Sequence, residues 1–176
     1  SAYKFIDQLR MAGQKYWQIL PIGPTGFGDS PYQLFSTFAG NPYFIDLEML
    51  AEEGLLEKSF IDSIDFGTNE VDYKKMFDNR YLVLKKAYES VKHSFDEDVF
   101  VKENPWAEIY ALFMALKYKN NQLPWHKWDE KFANKEKTAI NNAKKELKEE
   151  IRFWIFLQYL FFRQYFKLKD YANDHG

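Results

Sequence analysis

The apolar positions of this chain repeat mostly with the spacing of a helix. Between Val71 and Lys92, apolar side chains recur every three or four residues, and the same period follows Asn104-Pro105. The period is found again from Ala2 to Lys15, where Gly13 lies at the expected helix end, and from Thr138 to Ala172. We therefore predict a mainly helical chain.

The segment from Tyr16 to Ile22, YWQILPI, departs from the helical period. It is apolar and ends in the turn-forming residues Pro21 and Gly23-Pro24, so we predict a short strand. We expect a second short extended stretch within Asn41 to Leu47, followed by a helix from Met49 to Glu53. One strand cannot form a sheet, so this order of elements predicts part of a larger α/β unit.

Residues 62–68 are polar and rich in turn formers, and they separate two regions. We predict that residues 1–68 hold the strand and its loop, and that residues 69–176 form a helical part. Within the last predicted helix, the first half is charged (KKELKEE) and the second half is apolar on nearly every side. We expect the charged half to face solvent and the apolar half to be covered by other parts of the protein.

The apolar half, Ile151 to Phe166, is a poor candidate for a membrane span. A span needs about 20 apolar residues, and this shorter segment is interrupted by Arg152, Gln158, Arg163 and Gln164. We predict a buried core helix and no membrane partner. An exposed docking face, in a helical protein-interaction domain, is the alternative interpretation.

Charge and cysteine content narrow the possible functions. Lysine plus arginine (24) nearly balances aspartate plus glutamate (26). A general nucleic-acid binder normally carries a basic excess, so we expect no nucleic-acid partner. The absence of cysteine excludes disulfides and thiolate metal sites and fits a reducing compartment. The start of the chain shows no apolar signal-peptide core. The histidines lie far apart in the sequence, so we expect no metal site.

Aromatic residues make up 19% of the chain, and this content has two possible uses. Aromatic side chains build cores, but they also stack on the C–H faces of sugar rings, and composition alone leaves both uses open. For Trp106, Trp125 and Trp128, the flanking leucines and phenylalanines favour helix packing over a sugar-binding surface.

A long loop rich in glycine, proline and aromatic residues begins at Gly23, directly after the predicted strand. Binding sites in α/β folds lie at the carboxyl ends of strands, which is the position of this loop. Its glycines and prolines predict a stiff, irregular surface that carries Phe27, Tyr32, Phe35 and Phe38. The GPTGFG run lacks the spacing of phosphate-binding loops. A platform for a flat polar ligand and a packed Ω-loop both fit this pattern.

The loop and its flanks resemble a known family. The run LPIGPTGFGDSPYQLFSTFAGNPYFIDLE is similar to the signature near the start of the amylomaltases, the disproportionating 4-α-glucanotransferases. The segments IYALFMALK, PWHKWDE and FLQYLFFRQYFKLKDYA also resemble the family pattern. The resemblance extends over essentially the whole chain and is strongest from Tyr16 to Glu48.

The resemblance implies a (β/α)8 barrel with helical insertions. This chain would then supply the first barrel helix, the second strand, its substrate-side loop, a helical insertion subdomain and the long helix that leads back to the barrel. The implied partners are an α-1,4-glucan or maltooligosaccharide, as derived from starch or glycogen, and the remainder of the chain's own barrel. The implied location is the cytoplasm.

The resemblance also implies a glycosyl transfer with retained stereochemistry and no cofactor. Such enzymes use two carboxyl groups about 5–5.5 Å apart, one as nucleophile and one as acid and base. In the family these groups lie in later barrel strands, so we expect no catalytic residue among residues 1–176 and no transferase activity of this chain alone. Adjacent carboxylates within the chain are expected to be solvated surface groups. A non-catalytic α-glucan-binding module is the alternative function.

Four positions match substrate-contact positions of the family. Ser30 and Tyr32 match residues that line the donor subsites, with Tyr32 near the reacting sugar. Asn41 matches a site-supporting position, although its residue type also suits a turn-forming cap. Phe27 matches a position where some members have a tyrosine that binds a second stretch of glucan, and phenylalanine keeps the stacking face without the hydroxyl.

Overall fold

The computed structural model describes residues 1–26, 28–67 and 70–176, and the regular elements within these ranges are helices. The α-helices are α1 (Ala2–Met11), α2 (Leu47–Glu52), α3 (Lys58–Asp62), α4 (Tyr73–Val91), α5 (Glu97–Glu103), α6 (Trp106–Lys119), α7 (Glu130–Ala133), α8 (Lys137–Glu146) and α9 (Lys148–Asp174). Short 3-10 turns lie at Pro42–Phe44 and Trp125–Lys127.

Helix α1 ends where its glycine predicted an end. Gly13 has a φ of +69°, a conformation that disfavours other residues, and its N–H donates to Arg10 O at 3.0 Å. The next N–H, from Gln14, reaches back to Leu9 O at 2.9 Å. This pair of bonds is a Schellman motif, which satisfies carbonyls at the helix end. The predicted helix at 2–15 is therefore confirmed, with a shorter carboxyl end.

The predicted strand at Tyr16 to Ile22 is wrong for this structure. Residues 14–22 have no regular secondary structure, and in the described part of the chain the only β-type pairing is an isolated bridge between Thr25 and Leu34. A strand needs a neighbouring strand to receive its N–H and C=O groups, and the described ranges offer none. The predicted α/β class is thus not seen in this structure. The predicted helical part of the chain is seen.

The second extended stretch predicted within Asn41 to Leu47 is also wrong. Residues Pro42–Phe44 form a 3-10 turn, and α2 follows directly. Proline at the first turn position favours this outcome because its φ is already near the helical value. The side chain of Asn41 then accepts from Tyr43 N–H at 3.0 Å and caps the turn.

The long helix predicted from Thr138 to Ala172 is interrupted once, at Leu147, which separates α8 from α9. Its charged first half is mostly exposed, and the apolar side chains between Ile151 and Phe161 are buried, as predicted. The alternative of an exposed docking face on this helix is therefore wrong. In the described part of the chain, no helix is both long and apolar enough to cross a membrane.

The chain divides into two compact units. The first comprises Ser1–Arg80 and Tyr159–Gly176, and the second comprises Tyr81–Gln158. Buried side chains of the first unit include Ile45, Leu50 and Leu160. The sequence predicted a domain boundary after residue 68. That boundary stays a prediction.

Several aromatic rings pack together in the second unit. The Trp154 ring lies 5.2 Å from that of Tyr118 and 5.4 Å from that of Tyr81, centroid to centroid. Trp128 is buried, and its indole N–H donates to Leu123 O at 2.9 Å. Packing therefore accounts for Trp128, as the sequence favoured, whereas Trp125 lies exposed on its turn.

Candidate functional site

The loop that follows residue 22 is closed at its base by backbone hydrogen bonds. Asn41 N–H donates to Ile22 O at 2.8 Å, and Phe35 N–H donates to Pro24 O at 3.0 Å. These two bonds join residues at the start of the loop to residues that follow its central turn. We call residues 23–46 the aromatic loop.

Local hydrogen bonds hold the turn around Asp29 and Ser30, which we call the tip of the aromatic loop. Thr25 Oγ1 donates to Asp29 Oδ1 at 3.0 Å, and Asp29 has a positive φ of 51°. Ser30 accepts twice: its carbonyl from Gln33 N–H at 3.1 Å, and its Oγ from Tyr32 N–H at 3.4 Å. Aspartate tolerates the left-handed conformation and bonds nearby groups, so Asp29 shapes the turn that presents Ser30 and Tyr32.

The structure leaves Tyr32 accessible. Its side chain is 74% exposed, and Ser30, two residues earlier, is partly exposed. The Ser30 hydroxyl accepts one bond within the loop, and its own proton can donate to a ligand. Phe38 and Phe44 of the same loop are also exposed. This arrangement supplies an aromatic face and a hydroxyl donor, which together suit a polyhydroxylated ring.

The other two predicted site positions have different outcomes. Asn41 is only 5% exposed and caps the 3-10 turn, so the capping role suggested by its residue type is present. Its support of a ligand site stays a prediction. Phe27 lies outside the described residues, and its proposed stacking role is untested.

Tyr43 is a partly buried tyrosine of the loop that the sequence did not single out. Burial raises the pKa of Tyr43 to about 12, and the negative charges of Asp29 and Asp78 contribute in the same direction. The Tyr43 hydroxyl therefore keeps its proton to a higher pH than an ordinary tyrosine hydroxyl does.

Adjacent carboxylates in the described residues have structural contacts. Glu53 pairs with Arg163. Asp96 accepts from Asp98 N–H at 3.0 Å at the start of α5, and Glu149 lies 3.8 Å from Arg152. Across the described ranges, no group of three or more His, Asp or Glu side chains is placed to hold a metal ion.

Sequence reasoning missed the side chains of α9 that hold the carboxyl end of the aromatic loop. Gln164 Oε1 accepts from Asp46 N–H at 2.7 Å, and Gln164 Nε2 donates to Asp46 O at 3.1 Å. The ring of Phe161 packs against Gly40. A glutamine inside an apolar helical run was the available signal, because a buried carboxamide requires hydrogen-bond partners.

Comparison with known proteins gives a match along the entire chain. A family model described as 4-alpha-glucanotransferase matches residues 1–176. A 4-alpha-glucanotransferase of Clostridium butyricum is 50% identical, over 98% of this chain and 37% of its own length. One of Thermus thermophilus is 43% identical, over 99% of this chain and 36% of its own length.

A solved structure has the same backbone arrangement. The amylomaltase from Streptococcus agalactiae, in complex with acarbose, matches with a TM-score of 0.96 at 39% identity, over 99% of this chain and 37% of that chain. The chain therefore spans little more than a third of the length of these relatives, in their amino-terminal part. The family match along all 176 residues shows that this chain belongs to the 4-alpha-glucanotransferase family.

Proposed function

We propose that the whole protein is a 4-alpha-glucanotransferase that moves α-1,4-glucan segments between maltooligosaccharides. The observation that carries this proposal is the family match over residues 1–176. The exposed Tyr32 ring and the partly exposed Ser30 support it, because the motif resemblance assigns these two positions to donor subsites. A cytoplasmic location belongs to the same proposal.

In this proposal the aromatic loop supplies donor-side contacts. The Tyr32 ring stacks on the apolar face of a glucose unit, which is a mainly dispersive and hydrophobic contact. The Ser30 hydroxyl donates to a sugar oxygen, and Asn41 maintains the loop from within. In the same proposal, the Phe27 ring stacks on a sugar of a second stretch of glucan.

The bond-breaking chemistry is assigned to groups outside residues 1–176. A retaining double displacement needs a nucleophilic carboxylate and an acid/base carboxyl about 5–5.5 Å apart. Two of the adjacent carboxylates of this chain have structural partners instead: Glu53 pairs with Arg163, and Asp96 caps α5.

We also propose that residues 16–22 pair as a strand with the remainder of a (β/α)8 barrel. Trp17, Ile19 and Leu20 are exposed here, and Tyr16 is 92% exposed. Such an apolar run is costly to leave in water. Pairing and packing in a barrel would cover it.

The test is redistribution of maltotriose by the full-length protein. We expect glucose and longer dextrins, with the α-configuration retained at the new bonds. Chromatography measures the product lengths, and NMR measures the configuration. Tyr32→Ala should lower kcat/KM about tenfold, the loss expected for one aromatic stacking contact. Tyr32→Phe is the matched control and should keep most of the activity, since it retains the ring.

One observation favours the alternative of a non-catalytic glucan-binding module. The exposed ring and hydroxyl of the loop lie in this chain, which therefore has ligand-binding groups of its own. Tight maltooligosaccharide binding by folded full-length protein, without any sugar redistribution, would favour that module over the enzyme.

A further inference from the structure

The aromatic loop is anchored at its carboxyl end by side chains that are distant in sequence. Arg80 of α4 donates to Ile45 O. Gln164 of α9 contacts the next residue, Asp46, 118 positions away in the chain. These contacts act on the backbone just after the 3-10 turn, where the loop enters α2.

The contact of Gln164 uses both ends of its carboxamide. The carbonyl oxygen accepts from Asp46 N–H at 2.7 Å, while the amide nitrogen donates to Asp46 O at 3.1 Å. Gln164 is only 8% exposed. Among side chains of this length, only glutamine offers one acceptor and one donor in this geometry. Glutamate offers only acceptors, and methionine offers neither a strong donor nor a strong acceptor.

A second contact from the same face of α9 holds the loop at Gly40. A Cβ placed on Gly40 would lie 2.0 Å from Phe161 Cδ1, so the loop backbone rests directly against the ring. Phe161 and Gln164 are three residues apart and share one side of the helix. The helix therefore holds the loop on both sides of the 3-10 turn.

The anchored segment is linked to the turn that carries Tyr32 by two backbone hydrogen bonds. Asn41 N–H donates to Ile22 O, which fixes the beginning of the loop against its end. The pairing continues through Phe35 N–H and Pro24 O to the turn that carries Tyr32. A shift of the anchored segment would therefore move the base on which Tyr32 is mounted.

We propose that Gln164 is a positioning residue that sets the place of Tyr32 for ligand binding by holding the Asp46 backbone. This inference rests on the proposed function, because it assigns a role in the same glucan site. Gln164 itself contacts no sugar. Its loss leaves Asp46 N–H and C=O without their protein partner and allows the loop to shift.

The experiment measures acarbose affinity by fluorescence titration of the full-length protein. Gln164→Met keeps the side-chain length and removes both hydrogen bonds, and it should raise Kd about tenfold. Gln164→Glu keeps the acceptor for Asp46 N–H and should give an intermediate Kd. Leu157→Ala is the control: it removes a fully buried side chain of the same helix, and it should lower Tm while leaving Kd unchanged.

A double-mutant cycle with Tyr32→Ala separates positioning from general stability. If Gln164 acts through Tyr32, then Gln164→Met should change Kd less than about twofold in the Tyr32→Ala background. An unchanged Kd for Gln164→Met alone, or an equal effect in both backgrounds, would overturn the inference. Should Gln164→Met fail to fold, Gln164→Glu is compared in the same two backgrounds and decides in the same way.

The same data distinguish this inference from the proposed function. Wild-type protein that neither binds acarbose nor redistributes maltotriose would refute the function and, with it, this role of Gln164. If the wild type binds acarbose, and Tyr32→Ala raises Kd while Gln164→Met leaves Kd unchanged, only the positioning role is refuted.

Discussion

Gly40 is the residue at which the backbone approaches an aromatic ring most closely among the glycines that the structure describes. An added Cβ would lie 2.0–2.3 Å from three carbons of the Phe161 ring. Gly40→Ala therefore forces the ring or the loop to move, and we expect it to lower the free energy of unfolding by about 1–3 kcal/mol. Urea titration of the protein measures this change.

Gly26→Ala is the matched control for that substitution. Its added Cβ would meet the Phe35 ring at 3.4 Å, which is ordinary contact. We expect a change within about 0.5–1 kcal/mol, with a stabilising contribution from the less flexible unfolded chain. Equal stabilities of the two variants would show that the Phe161 ring yields without cost.

Tyr43 gives the loop a predictable response to alkaline pH. Its folded-state pKa is raised to about 12 from 10.0, mainly by burial, so the folded protein retains this proton when the unfolded chain has lost it. The resulting stabilisation is complete below pH 10 and is lost as the pH rises towards 12. We expect the free energy of unfolding to fall over this window, and to fall less steeply in Tyr43→Phe.

The measurement is denaturant unfolding at a series of alkaline pH values, with tyrosinate absorbance as a parallel readout. Tyr88 contributes to the same window, because burial raises its pKa to about 12. Some slope should therefore persist in Tyr43→Phe. An identical slope in wild type and Tyr43→Phe would contradict the prediction.

At the scale of elements, Asp46 connects the aromatic loop to α2 through its side chain. Asp46 Oδ1 accepts from Glu48 N–H at 2.9 Å and from Met49 N–H at 3.2 Å, which satisfies two free donors at the start of the helix. Asp46→Ala should lower the free energy of unfolding by about 1 kcal/mol. Thermal unfolding followed by circular dichroism tests this.

Asp46→Asn is the control for the cap, because its side-chain oxygen accepts the same bonds without the charge. We expect it to retain most of the stability. A loss as large as that of Asp46→Ala would assign the effect to the negative charge near the helix dipole and not to the hydrogen bonds.

The elements also show how far the sequence predicted the fold. Helices α1, α4, α6 and α9 were predictable because their apolar periods and end signals are local. The 3-10 turn at Pro42–Phe44 was missed because short apolar runs are ambiguous between extended and helical forms. Helix α5 was missed because it is short, although Asp96 offered a cap signal.

At the scale of the whole molecule, the exposed run from Tyr16 to Leu20 determines how the 176-residue chain behaves by itself. We expect the isolated chain to bind a hydrophobic fluorescent dye and to self-associate, since contiguous apolar surface favours both. Ile19→Lys with Leu20→Lys should reduce dye fluorescence and the mass found by light scattering.

The matched control replaces two exposed apolar residues of different helices, Ile109 and Phe166, with lysine. Scattered apolar residues are normal on protein surfaces, so this variant should bind dye and self-associate nearly as the wild type does. Equal effects of the two double substitutions would show that association does not depend on residues 19 and 20.

The sequence by itself determined the longer helices, the end of α1 at Gly13 and the family of the chain. Periodicity, capping residues and the GDSPYQ and AGNPY motifs are each contained within short stretches, so neighbouring residues suffice to indicate them. The candidate contacts Ser30 and Tyr32 came from the motif match, and the structure leaves Tyr32 exposed.

Only the tertiary structure decided the state of residues 16–22 and the anchoring of the aromatic loop. A strand exists through hydrogen bonds to a neighbour, so apolar composition alone does not create one. The pairing of Gln164 with the Asp46 backbone joins positions 118 residues apart, and no local pattern specifies which backbone group a buried carboxamide will meet. That choice is made when helix and loop pack together.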